Sequence, residues 1–171
     1  MPLFRESGIV EDPWQTLGDD ATVPADGMVL VSFARWREAR AALLARRGPV
    51  GVALANTDPV EALASDTARL DLIALHFPKF SDGRAYSQAR LLRERHGYDG
   101  ELRATGQVLR DQFVFVSRAG FDAFEVKKDA DADAFAETMK RYSVFYQPTG
   151  DGRVTALNRR MQLRHSESAG Q

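Results

Sequence analysis

Residues 71–106 of the chain read DLIALHFPKFSDGRAYSQARLLRERHGYDGELRATG, and this stretch decides the fold. Residues 71–77 and 101–106 are short β-rich runs with the length of β-strands. Between them, helical periodicity begins at residues 82–84 and stops at Gly97, a residue type that commonly ends helices. A strand, a helix and a second strand in this order predict a parallel βα unit, in which the helix packs back on the sheet.

The same unit recurs along the chain with a nearly constant step. Six predicted strands begin at residues 28, 50, 71, 101, 122 and 143, so the steps are 22, 21, 30, 21 and 21 residues. This rhythm predicts one α/β domain over residues 28–147, with a mainly parallel sheet of about six strands. Six strands are too few to close an eight-stranded barrel, so we expect an incomplete, barrel-like sheet; an open doubly wound sheet is the alternative. The strands are predicted at 28–33, 50–55, 71–77, 101–106, 122–126 and 143–147.

The helices between the strands carry their own start and stop signals. The first has apolar residues on one face and ends at Arg46-Arg47-Gly48-Pro49, a basic turn followed by glycine and proline. The second is predicted to start at Asp58-Pro59-Val60-Glu61, where Asp58 can cap and Glu61 can complete a capping box. The apolar run 111–117 could be a strand, but a parallel connection requires a helix there. A fifth helix is predicted over residues 131–142. The residues predicted to be buried by the first and third helices are Trp36, Ala39, Leu43, Leu44, Ala85, Ala89 and Leu92.

The two ends of the chain lack this rhythm. Residues 1–27 contain several turn signals, including Asp12-Pro13 and Gly18-Asp19, and are expected to form an arm or a hairpin. Residues 148–171 are polar and basic, and we expect a partly disordered tail.

The composition excludes several classes of protein. The chain has 171 residues, of which 44% are hydrophobic and 27% charged, and a net charge of −1, so no global field favours nucleic acid or an anionic membrane. It has no cysteine, which excludes disulfides, thiol catalysis and thiolate metal ligands. The apolar runs are too short for a membrane span, and no signal-peptide core is present. A cytoplasmic protein is expected.

The one long step, between residues 71 and 101, carries the candidate site. Ligands of parallel α/β folds bind beyond the carboxyl ends of the strands, and the extra residues fall on that side. The neighbouring strand delivers a second group of polar residues to the same edge, with Arg103 within the strand and Thr105, Gly106, Gln107, Arg110, Asp111 and Gln112 after Arg103. We therefore expect an anion-binding or acid–base site there. Asp82 and Asp111 are the candidate catalytic residues, and the candidate ligand-binding residues are Lys79, Arg84, Tyr86, Arg110 and Gln112.

Each of these residues also has a simpler interpretation. Asp82 can cap the third helix, Arg84 can lie on its solvated face, and Arg110 with Asp111 can form an ordinary surface pair. His76, at a strand end, is a candidate general base or a structural histidine. Three histidines far apart in sequence predict no metal site. The chain has no dinucleotide, phosphate-loop or nucleophile-elbow motif, and no cofactor is predicted.

The segment FPKFSDGRAYSQARLLRERHGYDGELRATGQVLRDQFVFVSRAGFDAFEV, residues 77–126, resembles a bacterial family of unknown function labelled as an oxidoreductase involved in sulfite reduction. Genes of that family typically lie beside those of sulfite reductase and phosphoadenylyl-sulfate reductase, so the resemblance implies a place in assimilatory sulfate reduction. It supplies no established catalytic residue. The family positions matched here are Phe77, Pro78, Lys79, Asp82, Gly83, Arg84, Gly106, Asp111 and Gln112.

Two functions are compatible with these observations. In the first, the protein is an accessory that binds a small anion, a cofactor, or sulfite reductase or another enzyme of sulfate assimilation. Because sulfite reduction requires an iron–sulfur cluster with thiolate ligands, a chain without cysteine would leave electron transfer to its partner. In the second, it is a small-molecule enzyme that uses Asp82 and Asp111 for acid–base chemistry. A homo-oligomer is compatible with either function.

Overall fold

The computed structural model describes residues 3–5, 8–125, 149 and 155–161, except for the side chain of Arg110. Eight strands within this part of the chain form one curled, half-barrel sheet. The strands are β1 (Leu3–Arg5), β2 (Gly8–Val10), β3 (Trp14–Thr16), β4 (Met28–Ser32), β5 (Val50–Leu54), β6 (Leu72–Phe77), β7 (Glu101–Gly106) and β8 (Ala123–Glu125).

The strand order is β2-β1-β8-β7-β6-β5-β4-β3. The six strands from β3 to β8 are mutually parallel, whereas β1 runs antiparallel to both β2 and β8. The prediction of about six strands is wrong in number, since residues 1–27 contribute three strands. Strands β1 and β2 pair with each other antiparallel and extend the sheet beyond β8. These strands have three residues each, too few to show an alternating pattern in the sequence.

The connection between β2 and β3 shows how strongly the sheet curls. Strands β2 and β3 lie at opposite edges of the eight-stranded order, yet only residues 11–13 separate them. Four peptide steps from Val10 to Trp14 span at most about 14 Å. A flat sheet of eight strands would place its edge strands about 34 Å apart, at about 4.8 Å per strand spacing. The two edges therefore approach each other, as in a barrel.

The two faces of the sheet have different surroundings. Alternate strand residues, including Val52, Ile73 and Leu102, join side chains from the helices in one large buried core. The other, concave face carries a small apolar cluster of Leu30, Leu72 and Ala74. Because the described helices cover only one face, the architecture matches the incomplete barrel and differs from a doubly wound sheet, which has helices on both faces. The helical residues in the large core are Phe33, Trp36, Leu43, Ala85, Ala89, Leu92, Phe113 and Val116.

Helix α1 (Phe33–Leu44) follows β4 directly. Its first turn is capped by the Oγ atom of Ser32, which accepts a hydrogen bond from the backbone N–H of Arg35 at 3.1 Å. Trp36 and Leu43 are buried, and Ala39 and Leu44 are partly buried against the same core, as predicted. The helix ends before the predicted stop signal at residues 46–49.

The predicted second α-helix is wrong. Residues 60–63 and 67–69 form two short 3-10 segments instead. The Oδ2 atom of Asp58 accepts a hydrogen bond from the backbone N–H of Ala55 at 2.7 Å, so this carboxylate closes the turn after β5 and does not cap the next segment. The expected capping box therefore does not form, and the chain crosses to β6 in tight turns.

The remaining helix predictions are confirmed where the structure describes them. Helix α2 (Arg84–Arg90) continues as a π-helical turn over Leu91–Arg95 and stops just before Gly97. The run that could have been a strand is helix α3 (Phe113–Arg118). The predicted helix at 131–142 and strand at 143–147 lie outside the described residues. Within the predicted tail, residues 156–161 are helical and Thr155 is buried. No helix of the described part is long and apolar enough to cross a membrane.

Candidate functional site

The candidate site begins where β6 and β7 end side by side. These strands are in parallel register, with His76 opposite Thr105 and Phe77 opposite Gly106. Gly106 has φ +86, and a Cβ atom there would collide with the carbonyl oxygen of Phe77 and lie 2.7 Å from Cε1 of His76. Only glycine fits this close approach. The two loops therefore leave the sheet from neighbouring positions, as the sequence predicts.

Asp82 is engaged in a dense set of hydrogen bonds. Its carboxylate accepts from the backbone N–H of Arg84 at 3.1 Å and from the guanidinium of Arg84 at 3.0 and 2.7 Å. The Nδ2 atom of Asn56 donates to it at 2.6 Å. The Arg84 hydrogen bonds are the main cause of a lowered pKa of Asp82, about 2. Asp82 is therefore ionised at neutral pH and fixes the start of α2, and its catalytic role stays a prediction.

Gln112 joins the two predicted clusters. Its Nε2 atom donates to the carbonyl oxygen of Phe80 at 2.7 Å, and its Oε1 atom accepts from the backbone N–H of Leu109 at 3.4 Å. One side chain thus fixes the loop after β6 to the loop after β7. The side chains of Phe80 and Leu109 are 51% and 41% exposed on this surface. We call Phe80, Leu109 and Gln112 the loop platform.

The other predicted site residues lie in the same two loops and in the first turn of α2. Lys79 is exposed, and the structure gives its side chain no hydrogen-bond or ion-pair partner among the described residues. Tyr86 is half-buried and packs edge-on against Phe77, with ring centroids 5.2 Å apart. Burial, and secondly the negative charge of Asp111, raises the pKa of Tyr86. Asp111 itself is exposed. Arg110 lies in the 3-10 turn Arg110–Gln112, and its side chain is outside what the structure describes.

A second group of charges lies on the concave face; the sequence led us to expect one of its members, Arg103, in the polar group at the strand ends, but its side chain is paired inside the curl of the sheet instead. Arg103 is fully buried in β7 and makes a bidentate ion pair with Asp12, with N–O distances of 2.8 and 3.1 Å. It also contacts Glu101 at 3.0 Å, and Glu101 in turn pairs with Arg5. The signal for this network is an arginine between Leu102 and Ala104, in the interior of a predicted strand. No sequence pattern near Asp12, in the link between β2 and β3, indicates that it is the partner of Arg103.

The upper end of the concave face is polar as well. The Nδ1 atom of His76 lies 3.2 Å from Oγ1 of Thr105. Glu125, on the adjacent β8, has a raised pKa, mainly because of burial, while the positive charge of Arg103 acts in the opposite direction. Among the described residues, no group of three or more histidine, aspartate and glutamate side chains is placed to hold a metal ion.

A comparison with known protein families identifies the family of this chain. Residues 51–157 match the model of a family described as a bacterial protein of unknown function (DUF934). The chain belongs to this family. No curated protein matches the chain.

The DUF934 match covers the loop platform and every predicted site residue, from Lys79 to Gln112. It begins after α1, so Arg5 and Asp12 lie outside the matched range. The charge network of the concave face therefore joins Glu101 and Arg103, which lie inside the DUF934 range, to residues that precede it. The network forms one connection between the family region and the N-terminal strands.

Proposed function

We propose that this DUF934 protein is an accessory of assimilatory sulfite reduction that docks on sulfite reductase through the loop platform. The observation that carries the proposal is that two exposed apolar residues, Phe80 and Leu109, lie in loops that the side chain of Gln112 ties together through the backbone of each. The sequence resemblance supplies the expected partner.

The loop platform has the features of a protein-binding surface. Large apolar side chains cost free energy when they are exposed to water, and clustered ones mark interaction sites. Protein interfaces typically combine an apolar centre with a polar, charged rim. Here Lys79 directly precedes Phe80 in the chain, Asp111 follows Leu109 by two residues, and both charged residues are exposed. Gln112 holds both backbones in place, which lowers the entropy that binding would cost.

The amino-acid composition indicates which of the two proteins would carry out electron transfer. The chain has no cysteine and so cannot supply thiolate ligands to an iron–sulfur cluster or a thiol nucleophile. We therefore propose that sulfite reductase supplies the electron-transfer centre. The accessory contributes a surface that binds and orients it.

The alternative, a small-molecule enzyme that uses Asp82 and Asp111, has less support. A carboxylate with a pKa of about 2 is a weak base at neutral pH, and the lone pairs of Asp82 are occupied by Arg84 and Asn56. The same pairing leaves Lys79 as the unpaired cation among the described side chains of this loop. A small anion would therefore meet less free positive charge here than the sequence predicted.

The proposal can be tested by measuring the affinity of the purified protein for sulfite reductase of the same bacterium. We expect the double variant Phe80→Ser/Leu109→Ser to bind at least about tenfold more weakly, because it loses two apolar side chains at the centre of the surface. Its melting temperature should be close to that of the wild type, since both side chains are largely exposed.

The matched control is the double variant Ile9→Ser/Met28→Ser. These side chains are 49% and 37% exposed and lie on β2 and at the start of β4, away from the loop platform. The control should bind like the wild type. Failure of the wild type to bind sulfite reductase, or an equal loss in the control, would contradict the proposal.

A further inference from the structure

The end of the sheet opposite the loop platform contains a polar pocket of about 200 Å³. It lies between the end of α1, the turn that leads into β5, and the residues just before β6. The strands begin at this end, so it is distinct from the surface on which the sequence placed the ligand site. The pocket is lined by Leu43, Leu44, Arg46, Arg47, Gly48, Pro49, Val50, Ala68, Arg69 and Asp71.

Three arginines and one aspartate give the pocket an excess of positive charge. Arg46 forms part of the pocket wall, because its guanidinium donates to the carbonyl oxygens of Pro24, Pro49, Asp26 and Gly27 at 2.9 to 3.3 Å. The Oδ2 atom of Asp71 accepts from the backbone N–H of Val50 at 3.2 Å. Both groups are therefore held in place by backbone contacts, and the Arg46 charge adds to the field in the pocket.

The other two arginines keep donors available. Arg69 donates from Nη2 to the carbonyl oxygen of Leu44 at 2.8 Å, and its guanidinium makes no other hydrogen bond to the described residues. Arg47 is exposed and has no such partner in the same part of the chain. Most N–H groups of these two planar cations therefore face the pocket or solvent. Guanidinium groups of this kind bind oxyanions bidentately.

One wall of the pocket is closely packed. A Cβ atom on Gly48 would lie 2.5 Å from the carbonyl oxygen of Gly27 and 3.3 Å from Nη2 of Arg46. The turn is therefore packed directly against the Arg46 bridge. A pocket that is formed before the ligand arrives avoids part of the ordering cost of binding.

We propose that this pocket binds a tetrahedral oxyanion, either a free inorganic ion or the phosphate group of a larger ligand, through Arg47 and Arg69. Arg46 contributes charge and shape, and Asp71 limits the orientation of the ligand. The proposal is independent of the docking function, because none of these residues belongs to the loop platform.

Isothermal titration calorimetry of the full chain at low ionic strength tests the site, with inorganic sulfate, inorganic phosphate and O-phosphoserine as separate probes. We expect saturable binding of at least one probe. Arg47→Gln should weaken it by about tenfold, since one bidentate cation is lost. Arg47→Gln/Arg69→Gln should abolish it. Tighter binding of O-phosphoserine than of inorganic phosphate would assign the pocket to a phosphorylated ligand, and the reverse order to a free ion.

The control is Arg37→Gln/Arg95→Gln, which removes the same charge from exposed positions outside the pocket. It should change the affinity by less than about twofold, because distant surface charges are weakly coupled to a site. The proposal is overturned if no probe binds saturably, if Arg47→Gln binds like the wild type, or if the control loses as much affinity as the pocket variant. Arg47 has no structural partner among the described residues, so its substitution tests binding without disturbing the fold.

Discussion

The two faces of the sheet are stabilised in different ways. The face under the helices is a continuous apolar core, to which Ile73 and Leu75 of β6 contribute with no exposed surface. The concave face has only a small apolar cluster, and at its centre the buried Arg103 faces Asp12 and Glu101. The first face gains stability from removing apolar surface from water, which is largely independent of partners. The second depends on matched charges, so its contribution can be lost by changing one residue.

The largest effect is expected from Ile73→Ala, on the apolar face. The substitution leaves a cavity in a core from which water is excluded. We therefore expect the free energy of unfolding to fall by about 2–5 kcal/mol. Ile73→Val should lower it by only about 1 kcal/mol. Urea denaturation of the three proteins measures both values. Equal, small losses would show that this face is loosely packed.

A smaller loss is expected from Arg103→Met, on the concave face. The substitution leaves Asp12 and Glu101 without their shared cation, and breaking a fully buried pair costs about 3–5 kcal/mol. The side chain of Asp12 is 31% exposed and can be solvated, so we expect about 2 kcal/mol here.

The double variant Arg103→Met/Asp12→Asn provides the control for this prediction. It removes the carboxylate that the loss of Arg103 leaves unpaired, whereas Glu101 keeps its ion pair with Arg5, so it should recover part of the lost stability. Absence of any recovery would mean that Arg103 acts through its packing, as Ile73 does, and that the two faces are alike.

The smallest effect is expected at Glu125, which titrates on the concave face. Burial raises the pKa of this carboxyl group above its unfolded value, so the native state binds the proton more tightly. The contribution of this bound proton to the free energy of unfolding is complete below the pKa of Glu125 in the unfolded chain. It is lost as the pH rises through the pKa of Glu125 in the folded protein. Glu125→Gln should remove this dependence and become more stable relative to the wild type between pH 4 and pH 7. Parallel stability curves over that range would contradict the prediction.

The sequence predicted the apolar face well and the concave face poorly. The helix that buries Ala85, the turn from α1 and the ends of β6 and β7 all have local signals, and each was found. The proximity of the loops that follow β6 and β7 was also predictable, because adjacent parallel strands end at the same edge of a sheet. The Gln112 contact that fixes the loops required atomic geometry.

The failures share a physical cause. Asp58 carries the sequence signature of a helix cap, but the signature does not show that its carboxylate bonds back to Ala55. Arg103 and Asp12 are separated by 91 positions in the chain, so nothing near either residue indicates the pair. Strands of three residues, such as β1, owe their conformation to distant partners and have no periodicity of their own.

The pairing of β1 with β8 affects how the sheet folds while the chain is being synthesised. Phe4 lies opposite Phe124, so β1 is completed by β8, the last strand of the described sheet in chain order and one synthesised long after it. At typical rates of synthesis the hairpin of β1 and β2 waits roughly ten seconds for its partner. An isolated two-stranded hairpin is marginally stable in water. A nascent chain that stalls before residue 123 would therefore present the open edge of β7 to other chains, and such an edge invites aggregation.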